Sequence, residues 1–194
     1  MTKTNYARKI AVTAILGAAA TVLMFLSFPM PFLIPPFIKM DFSELPALLA
    51  TFSLGPASGV AVCLIKNLIN VMSTTTGGVG ELANFLMGIF FVLPAGLIYR
   101  RKKTRGGALL ASVVGAVVMA AVSVPINYFI SYPFYTSFMP LDVIIGMYQE
   151  LIPSMDGLLA CLLVFNMPFT LLKGLLDVLL AFLIYKPLSP LLKK

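Results

Sequence analysis

The stretch ALLASVVGAVVMAAVSVPINYFI, residues 108–130, is 23 residues long and contains no charged side chain. An α-helix needs about 20 mostly apolar residues to cross the hydrocarbon core of a bilayer. Just before this stretch, RRKKTR at residues 100–105 gathers five basic side chains. Such clusters are typical of the cytoplasmic ends of spanning helices. Together the two segments predict a helix that enters the membrane from the cytoplasm.

The rest of the chain has the same character. Of its 194 residues 60% are hydrophobic and only 11% charged, and its mean hydropathy is +1.00; soluble domains average about 25% charged residues. We predict an all-α integral membrane protein in which residues 1–194 form one six-helix transmembrane substrate-binding domain. The predicted helices cover residues 8–28, 42–53, 57–72, 81–99, 108–130 and 168–185.

Three segments between these helices are predicted not to cross the membrane. Residues 27–40 contain four prolines and should form an ordered loop, because proline disrupts helix interiors. Residues 131–156 are less apolar and should form a second outer loop. Residues 157–165 are apolar but too short to span, so we expect a surface-lying helical piece.

Charge fixes the predicted orientation. Eleven of the 14 basic residues flank apolar segments in three groups: Lys3, Arg8 and Lys9; Arg100, Arg101, Lys102, Lys103 and Arg105; Lys186, Lys193 and Lys194. Six crossings place all three groups on one side, so we expect a multi-pass plasma-membrane protein with both termini cytoplasmic. The net charge of +7 is thereby explained without a nucleic-acid partner.

The composition also narrows the chemistry. The chain has no histidine and two cysteines, Cys63 and Cys161, in apolar surroundings. We therefore predict no metal site, no disulfide framework and no Ser-His or Cys-His catalysis. The phosphate loop that ATPases use is absent from the sequence. The chain is predicted not to be an enzyme and to need no cofactor.

Polar side chains inside the apolar segments are costly and therefore informative. Lys173 and Asp177 lie four residues apart on one predicted helix and could pair, while Lys66 could join an acidic partner on the second helix. A further set falls near outer helix ends and would ring one cavity with apolar walls from Phe37, Tyr128 and Tyr132. That set is Lys39, Asn84, Asn127, Asn166, Thr170 and Lys173. It suits a flat, neutral, heteroaromatic ligand.

The first predicted helix carries a small-x-x-x-small pattern at Ala14 and Ala18. Small residues at this spacing let another helix approach closely. The partner helix could belong to this bundle or to another protein.

Six segments together resemble the riboflavin-specific substrate-binding (S) components of the energy-coupling-factor (ECF) vitamin transporters. They are FPMPFLIPPFIKMDFSELPA (28–47), LGPASG (54–59), IKNL (65–68), TGGVGELANF (76–85), PINYF (125–129) and FNMPFTLLKG (165–174). The similarity covers essentially the whole chain in order and spacing.

This resemblance implies that the chain captures riboflavin from outside and delivers it through a membrane T component and two cytoplasmic ATPase subunits. By matching position, it implies ligand contacts at Lys39, Ala47, Asn127, Thr170 and Lys173. It also assigns Ala14 and Ala18 to the docking face for the T component. Two alternatives stay open: an S component for another flat vitamin or base, and a self-sufficient channel or intramembrane enzyme.

Overall fold

The structure, a computed structural model, describes the backbone of residues 3–193 and the side chains of residues 6–184. Within that part, five helices are long and apolar enough to cross a membrane: Tyr6–Phe25, Pro56–Ser73, Val79–Arg101, Arg105–Tyr135 and Leu158–Ile184. A sixth apolar helix, Glu44–Leu54, is shorter. The prediction of a six-helix membrane bundle is confirmed. The side chains of the third basic group, Lys186, Lys193 and Lys194, lie outside the described residues.

The first helix leads into a small hairpin. Helix α1, Lys3–Phe25, is followed by strands β1, Phe28–Pro29, and β2, Lys39–Met40, which pair antiparallel. Residues 30–38 between the strands therefore form the ordered loop that the prolines predicted. We call residues 28–43 the first loop.

The second helix is enclosed by the others. Helix α2, Glu44–Leu54, contacts the first helix, the next two and the last one. Eight consecutive residues from Glu44 to Thr51 are buried, as expected for a helix that is apolar on every side. Gly55, with φ of +104°, then turns the chain directly into the next helix, and such a conformation is easy only for glycine.

Helices α3, Pro56–Asn70, and α4, Val79–Arg101, are joined by a 3₁₀ turn, Val71–Ser73, and a glycine-containing turn. Helix α5, Arg105–Ile126, packs along α4. These two long helices approach each other closely at Gly115, where an added Cβ would lie 2.5 Å from the carbonyl oxygen of Phe91.

The second half of the bundle contains two π-helical turns. The first, Asn127–Ser131, continues α5 into the short helix α6, Tyr132–Tyr135. Helix α7, Leu141–Gln149, then precedes helix α8, Leu158–Cys161. The second π turn, Leu162–Asn166, joins α8 to the last helix, α9, Met167–Lys193. The predicted outer loop at residues 131–156 therefore holds α6 and α7.

One prediction is wrong. Residues 157–165 do not form a separate surface-lying piece, because α8, the second π turn and α9 run as one helix in which Cys161, Leu162 and Phe165 are buried. Proline cannot donate the backbone hydrogen bond of a helix interior. The π turn just before Pro168 accommodates the pyrrolidine ring of this proline, so the helix continues past it.

Two apolar clusters form the core. One includes Leu48, Ala50, Phe91 and Met119 from α2, α4 and α5. The other includes Ile34 of the first loop with Tyr132, Tyr148 and Phe169. The end of the bundle where α1 ends and α4 begins is called the cavity end below. The opposite end, with Arg100–Arg105, is called the basic end.

Candidate ligand-binding site

A cavity of about 390 Å³ opens where the two apolar clusters meet, within the range of about 300–1,000 Å³ for small-molecule sites. Met119 of one cluster and Ile34, Tyr132 and Phe169 of the other line it. Every long helix and the first loop contribute to its wall. It lies at the cavity end, opposite the basic cluster.

Seven of the nine predicted ligand residues line this cavity: Phe37, Lys39, Asn84, Asn127, Asn166, Thr170 and Lys173. The other two do not. Ala47 is fully buried in the apolar core, and its carbonyl accepts a hydrogen bond of 2.8 Å from the hydroxyl of Thr51. The Tyr128 ring is 40% exposed and packs edge-on against Phe129, because the π turn directs it away from the cavity.

Both π turns deliver side chains to the cavity. Asn127 and Ser131 come from the first turn and Asn166 from the second. A π turn places one extra residue in the helical turn, and such turns occur frequently at functional sites. Pro125 lies just before the first of these turns and Pro168 just after the second.

Lys173 forms an ion pair, but not with the partner that the sequence suggested. Its Nζ donates to Oδ2 of Asp41 in the first loop at 2.8 Å. Asp177, one helical turn further on, has no hydrogen-bond partner on either carboxyl oxygen among the described residues. The predicted Lys173–Asp177 pair is therefore wrong. The first loop brings Asp41 within hydrogen-bond distance of Lys173, whereas Asp177 makes no hydrogen bond to it.

Asp41 is held ionised by this environment. Burial alone would raise the pKa of its carboxyl group, but the positive charges of Lys173 and Lys66 lower it from 3.8 to about 2. The backbone N–H and hydroxyl of Ser43 also donate to Asp41 Oδ1, at 2.9 Å and 2.5 Å. Because the pKa of Asp41 is lower than its ordinary value of 3.8, the ionised carboxylate stabilises the folded first loop above pH 4. This stabilisation is lost as the pH falls toward 2.

The expectation for Lys66 is confirmed. Its ammonium is fully buried, pairs with the Glu44 carboxylate of α2, and donates to the Ser43 hydroxyl at 2.6 Å. Gly88 makes room for this pair, since an added Cβ there would lie 3.1 Å from the Glu44 carboxylate. The two ion pairs and Ser43 form one continuous polar chain from α9 through the first loop to α3.

An aromatic group closes another side of the cavity. The Tyr148 hydroxyl donates to Oδ1 of Asn166 at 2.7 Å and contacts the Tyr132 hydroxyl, to which Nδ2 of Asn166 donates at 3.2 Å. Burial raises the pKa of Tyr148, so this hydroxyl stays a donor at neutral pH. The Phe37 ring meets the edges of Tyr132, Tyr135 and Tyr148 with centroids 6.3–6.5 Å apart.

These contacts separate two kinds of polar residue. The Asn166 amide is engaged on both ends by tyrosines, so it chiefly fixes their positions. By contrast, Oδ1 of Asn84 and Oγ of Ser131 are buried with no hydrogen-bond partner among the described residues. Buried polar atoms are nearly always hydrogen-bonded in folded proteins. Both residues line the cavity, but these two oxygens are enclosed behind its surface.

Sequence reasoning missed several lining residues, among them Asp41, Glu44, Ser131 and Tyr135. The sequence anticipated an acidic partner for Lys66 on the second helix, but not that Glu44 would line the cavity. Asp41 was recognisable as an acid beside the proline-rich segment, but nothing in the sequence joined it to Lys173. Ser131 had no signal of its own, because its position depends on the π turn.

The docking residues predicted on α1 lie on its outer surface. Ala14 and Ala18 are exposed, as is Ile15, which is 67% exposed. Gly17 and Ala20 point inward, and an added Cβ on Gly17 would lie 2.9 Å from Ile65 of α3. The small residues of α1 therefore form two faces, one packed inside the bundle and one open.

Comparison with known proteins identifies the family to which this chain belongs. A family model described as "ECF transporter, substrate-specific component" matches residues 8–185. A relative named "Riboflavin transporter RibU" from Staphylococcus aureus (strain TCH60) is 35% identical over 187 residues, which cover 96% of this chain and 93% of the relative. "Riboflavin transporter FmnP" from Bacillus subtilis (strain 168) is 31% identical over 186 residues, or 94% of this chain and 93% of the relative.

A solved structure gives the same result. The one described as "Structure and mechanism of the S component of a bacterial ECF transporter" superposes with a TM-score of 0.76 at 33% identity, covering 97% of this chain and 99% of that chain. Sequence and fold thus agree over nearly the full length. The chain belongs to the family of substrate-specific components of ECF transporters and is a transport protein, not an enzyme.

Proposed function

We propose that this chain binds riboflavin from outside the cell in the cavity described above. The proposal rests on one agreement: relatives at 35% and 31% identity are named riboflavin transporters, and this chain has a ligand-sized cavity lined by aromatic rings and polar side chains. The basic end then faces the cytoplasm by the positive-inside rule, so the cavity opens outward and both termini are cytoplasmic.

The lining matches the chemistry of the flavin ring, which is flat, apolar on its faces, and bears carbonyl and N–H groups along one edge. Lys173 uses one N–H on Asp41 and keeps two donors for ring carbonyls. Oδ1 of Asn84 is an acceptor that needs a donor, and Asn127 can both donate and accept. Phe37, Phe169 and the methionines of the wall cover the ring faces.

Transport requires an energy source that this sequence does not contain. We propose that a T component and two ATPase subunits supply it, and that the T component packs against the exposed Ala14–Ala18 face of α1. Support comes from the family assignment and from the exposure of both alanines. Small residues on an open helix face permit close approach of a partner helix.

An absorption spectrum of the purified protein tests the ligand. Protein prepared from cells grown with riboflavin should carry flavin bands that disappear on unfolding and return when the refolded or ligand-stripped protein is titrated with riboflavin. Parallel titrations with a pterin and a purine address the other flat ligands. Saturable binding of one of these without riboflavin binding would assign the cavity to that ligand instead. Riboflavin uptake by the chain alone in vesicles, without ATPases, would favour a self-sufficient channel.

A further inference from the structure

One cluster of charges buried beside the cavity, the one around Lys66 and Lys173, does not balance if every group is ionised. Three carboxyl groups (Asp41, Glu44 and Asp177) lie with two ammonium groups (Lys66 and Lys173), and all five residues are at most 9% exposed. Lys66 pairs with Glu44 and Lys173 with Asp41. The third carboxyl group, Asp177, is left over. With all five ionised, the cluster would carry one uncompensated negative charge inside the membrane.

Among the described residues, Asp177 has no ion-pair partner of its own to compensate that charge. It is 0% exposed, and neither carboxyl oxygen has a hydrogen-bond partner among the described residues. The charged groups that face it are Lys173 on its own helix, Glu44 on α2, Asp41 in the first loop and Lys66 on α3. Helix α5, which also packs on α9, has Arg105 as its only ionisable residue, and that residue lies at the basic end.

A bound cation is a poor alternative to a proton. Hard cations need several oxygen ligands, and the described residues contain no group of three or more His, Cys, Asp or Glu side chains able to hold a metal ion. A buried carboxylate without a partner is strongly disfavoured and takes up a proton instead.

We propose that Asp177 is a proton-binding site: it holds a proton at neutral pH while Lys173 is paired with Asp41, and it releases that proton to become the partner of Lys173 when Asp41 is withdrawn. In the first state, Asp41 and Glu44 balance the two lysines. In the second, Asp177 and Glu44 balance them. The cluster is neutral in both, and the proton of Asp177 passes to water in the exchange.

The geometry allows this exchange without a large movement of α9. Lys173 and Asp177 are four residues apart on one helix, a spacing at which side chains meet. Asp41 belongs to the first loop, whereas Lys173 and Asp177 belong to a spanning helix. A displacement of the first loop that breaks the Asp41–Lys173 pair leaves Asp177 on the same helix as the lysine, four residues away. The inference concerns the protonation of this chain and does not depend on which ligand the cavity takes.

Infrared spectroscopy of the purified, ligand-free chain at neutral pH tests the first half. The difference spectrum between the wild type and Asp177→Asn should show the C=O stretch of one protonated carboxylic acid in the wild type. Asp142→Asn is the matched control: Asp142 is exposed on α7, so this variant should leave the band unchanged. Carboxylate bands in place of the acid band in the Asp177→Asn difference would overturn the proposal.

Folding of the variants gives an independent readout. Asparagine is a neutral isostere of a protonated aspartate, so Asp177→Asn should elute and melt like the wild type. Glu44→Gln, which strands the Lys66 charge, should melt at a clearly lower temperature. If Asp177→Asn and the apolar variant Asp177→Leu both fail to fold while Glu44→Gln folds, Asp177 is an ionised structural group and the proposal is wrong.

Asp41→Asn tests the exchange. It removes the present partner of Lys173 and should convert the acid band of Asp177 into carboxylate bands, because only an ionised Asp177 then balances Lys173. An acid band of undiminished intensity in Asp41→Asn would show that Asp177 does not take over the lysine, and the exchange would be rejected.

Discussion

Among individual side chains, Asn127 and Lys173 are the ones on which we expect ligand affinity to depend most. Each offers hydrogen bonds to the edge of a flat ring, and leaving one buried polar group unsatisfied costs about 1–3 kcal/mol. Asn127→Ala and Lys173→Ala should therefore each weaken riboflavin binding at least about tenfold, measured by titration of the purified chain.

Lys173 needs a second variant, because its removal also strands the Asp41 carboxylate. The double variant Lys173→Met with Asp41→Asn removes the ion pair as a whole and keeps the volume of the side chains. It should bind riboflavin as weakly as Lys173→Ala. Wild-type affinity in the double variant, and in Asn127→Ala, would show that the ligand does not contact these residues.

Lys66 should behave differently, since it lies next to the cavity wall without lining it. Lys66→Met leaves Glu44 as an uncompensated buried charge, and breaking a buried pair in this way costs about 3–5 kcal/mol. We expect a large drop in thermal stability. Buried Cys63 and Cys161 provide the assay, because a thiol-reactive dye labels them only on unfolding. A variant that melts normally but loses affinity would place Lys66 in the ligand site.

Among the helices, the contact between α4 and α5 leaves no room for a larger side chain at Gly115. An added Cβ at Gly115 would lie 2.5 Å from a backbone oxygen of Phe91 and 3.3 Å from Cβ of Ala95. Neither atom belongs to a flexible side chain, so the helices must separate. Gly115→Val should lower stability by about 1–3 kcal/mol, the usual cost of overpacking.

Gly106→Ala is the matched control on the same helix, because an added Cβ there meets nothing within 4 Å. Alanine favours a helix over glycine by about 1 kcal/mol, so this variant should be neutral or slightly stabilised in the same dye assay. Equal destabilisation of both variants would mean that the α4–α5 contact is not the cause.

For the complete molecule, the first prediction is its orientation in the membrane. In a background with Cys63 and Cys161 replaced by alanine, a cysteine at Lys103 should react only with reagent supplied from the cytoplasm. One at Ser137, exposed between α6 and α7, should react only from outside. External labelling at position 103 would reverse the proposed direction of capture.

The second whole-chain prediction concerns assembly. Ala14→Trp or Ala18→Trp should abolish riboflavin uptake by the full complex, since a bulky side chain prevents close helix approach, while binding by the isolated chain stays unchanged. Val117→Trp, at a residue of α5 that is 51% exposed, controls for a bulky residue on an open face and should support normal uptake. Loss of binding in the α1 variants would make these alanines internal packing residues.

The six apolar helices of the bundle, their order and the position of the basic end followed from sequence alone. The reason is that charged groups and unpaired backbone groups are energetically unfavourable in lipid over lengths of about 20 residues. The same rule located the polar side chains that had to face a cavity or a partner, and seven of nine predicted ligand residues do line one cavity. Such signals are local: each is contained in one helix and its flanks.

Pairing between distant segments was decided only by the tertiary structure. The sequence put Lys173 four residues from Asp177, yet the fold joins it to Asp41, 132 positions earlier in the chain. Likewise, residues 157–165 looked too short to span until the π turn before Pro168 joined them to α9. Hydropathy measures the free energy that each segment gains or loses on leaving water. The partner of a buried charge depends instead on which helices pack side by side and on the direction in which each side chain points.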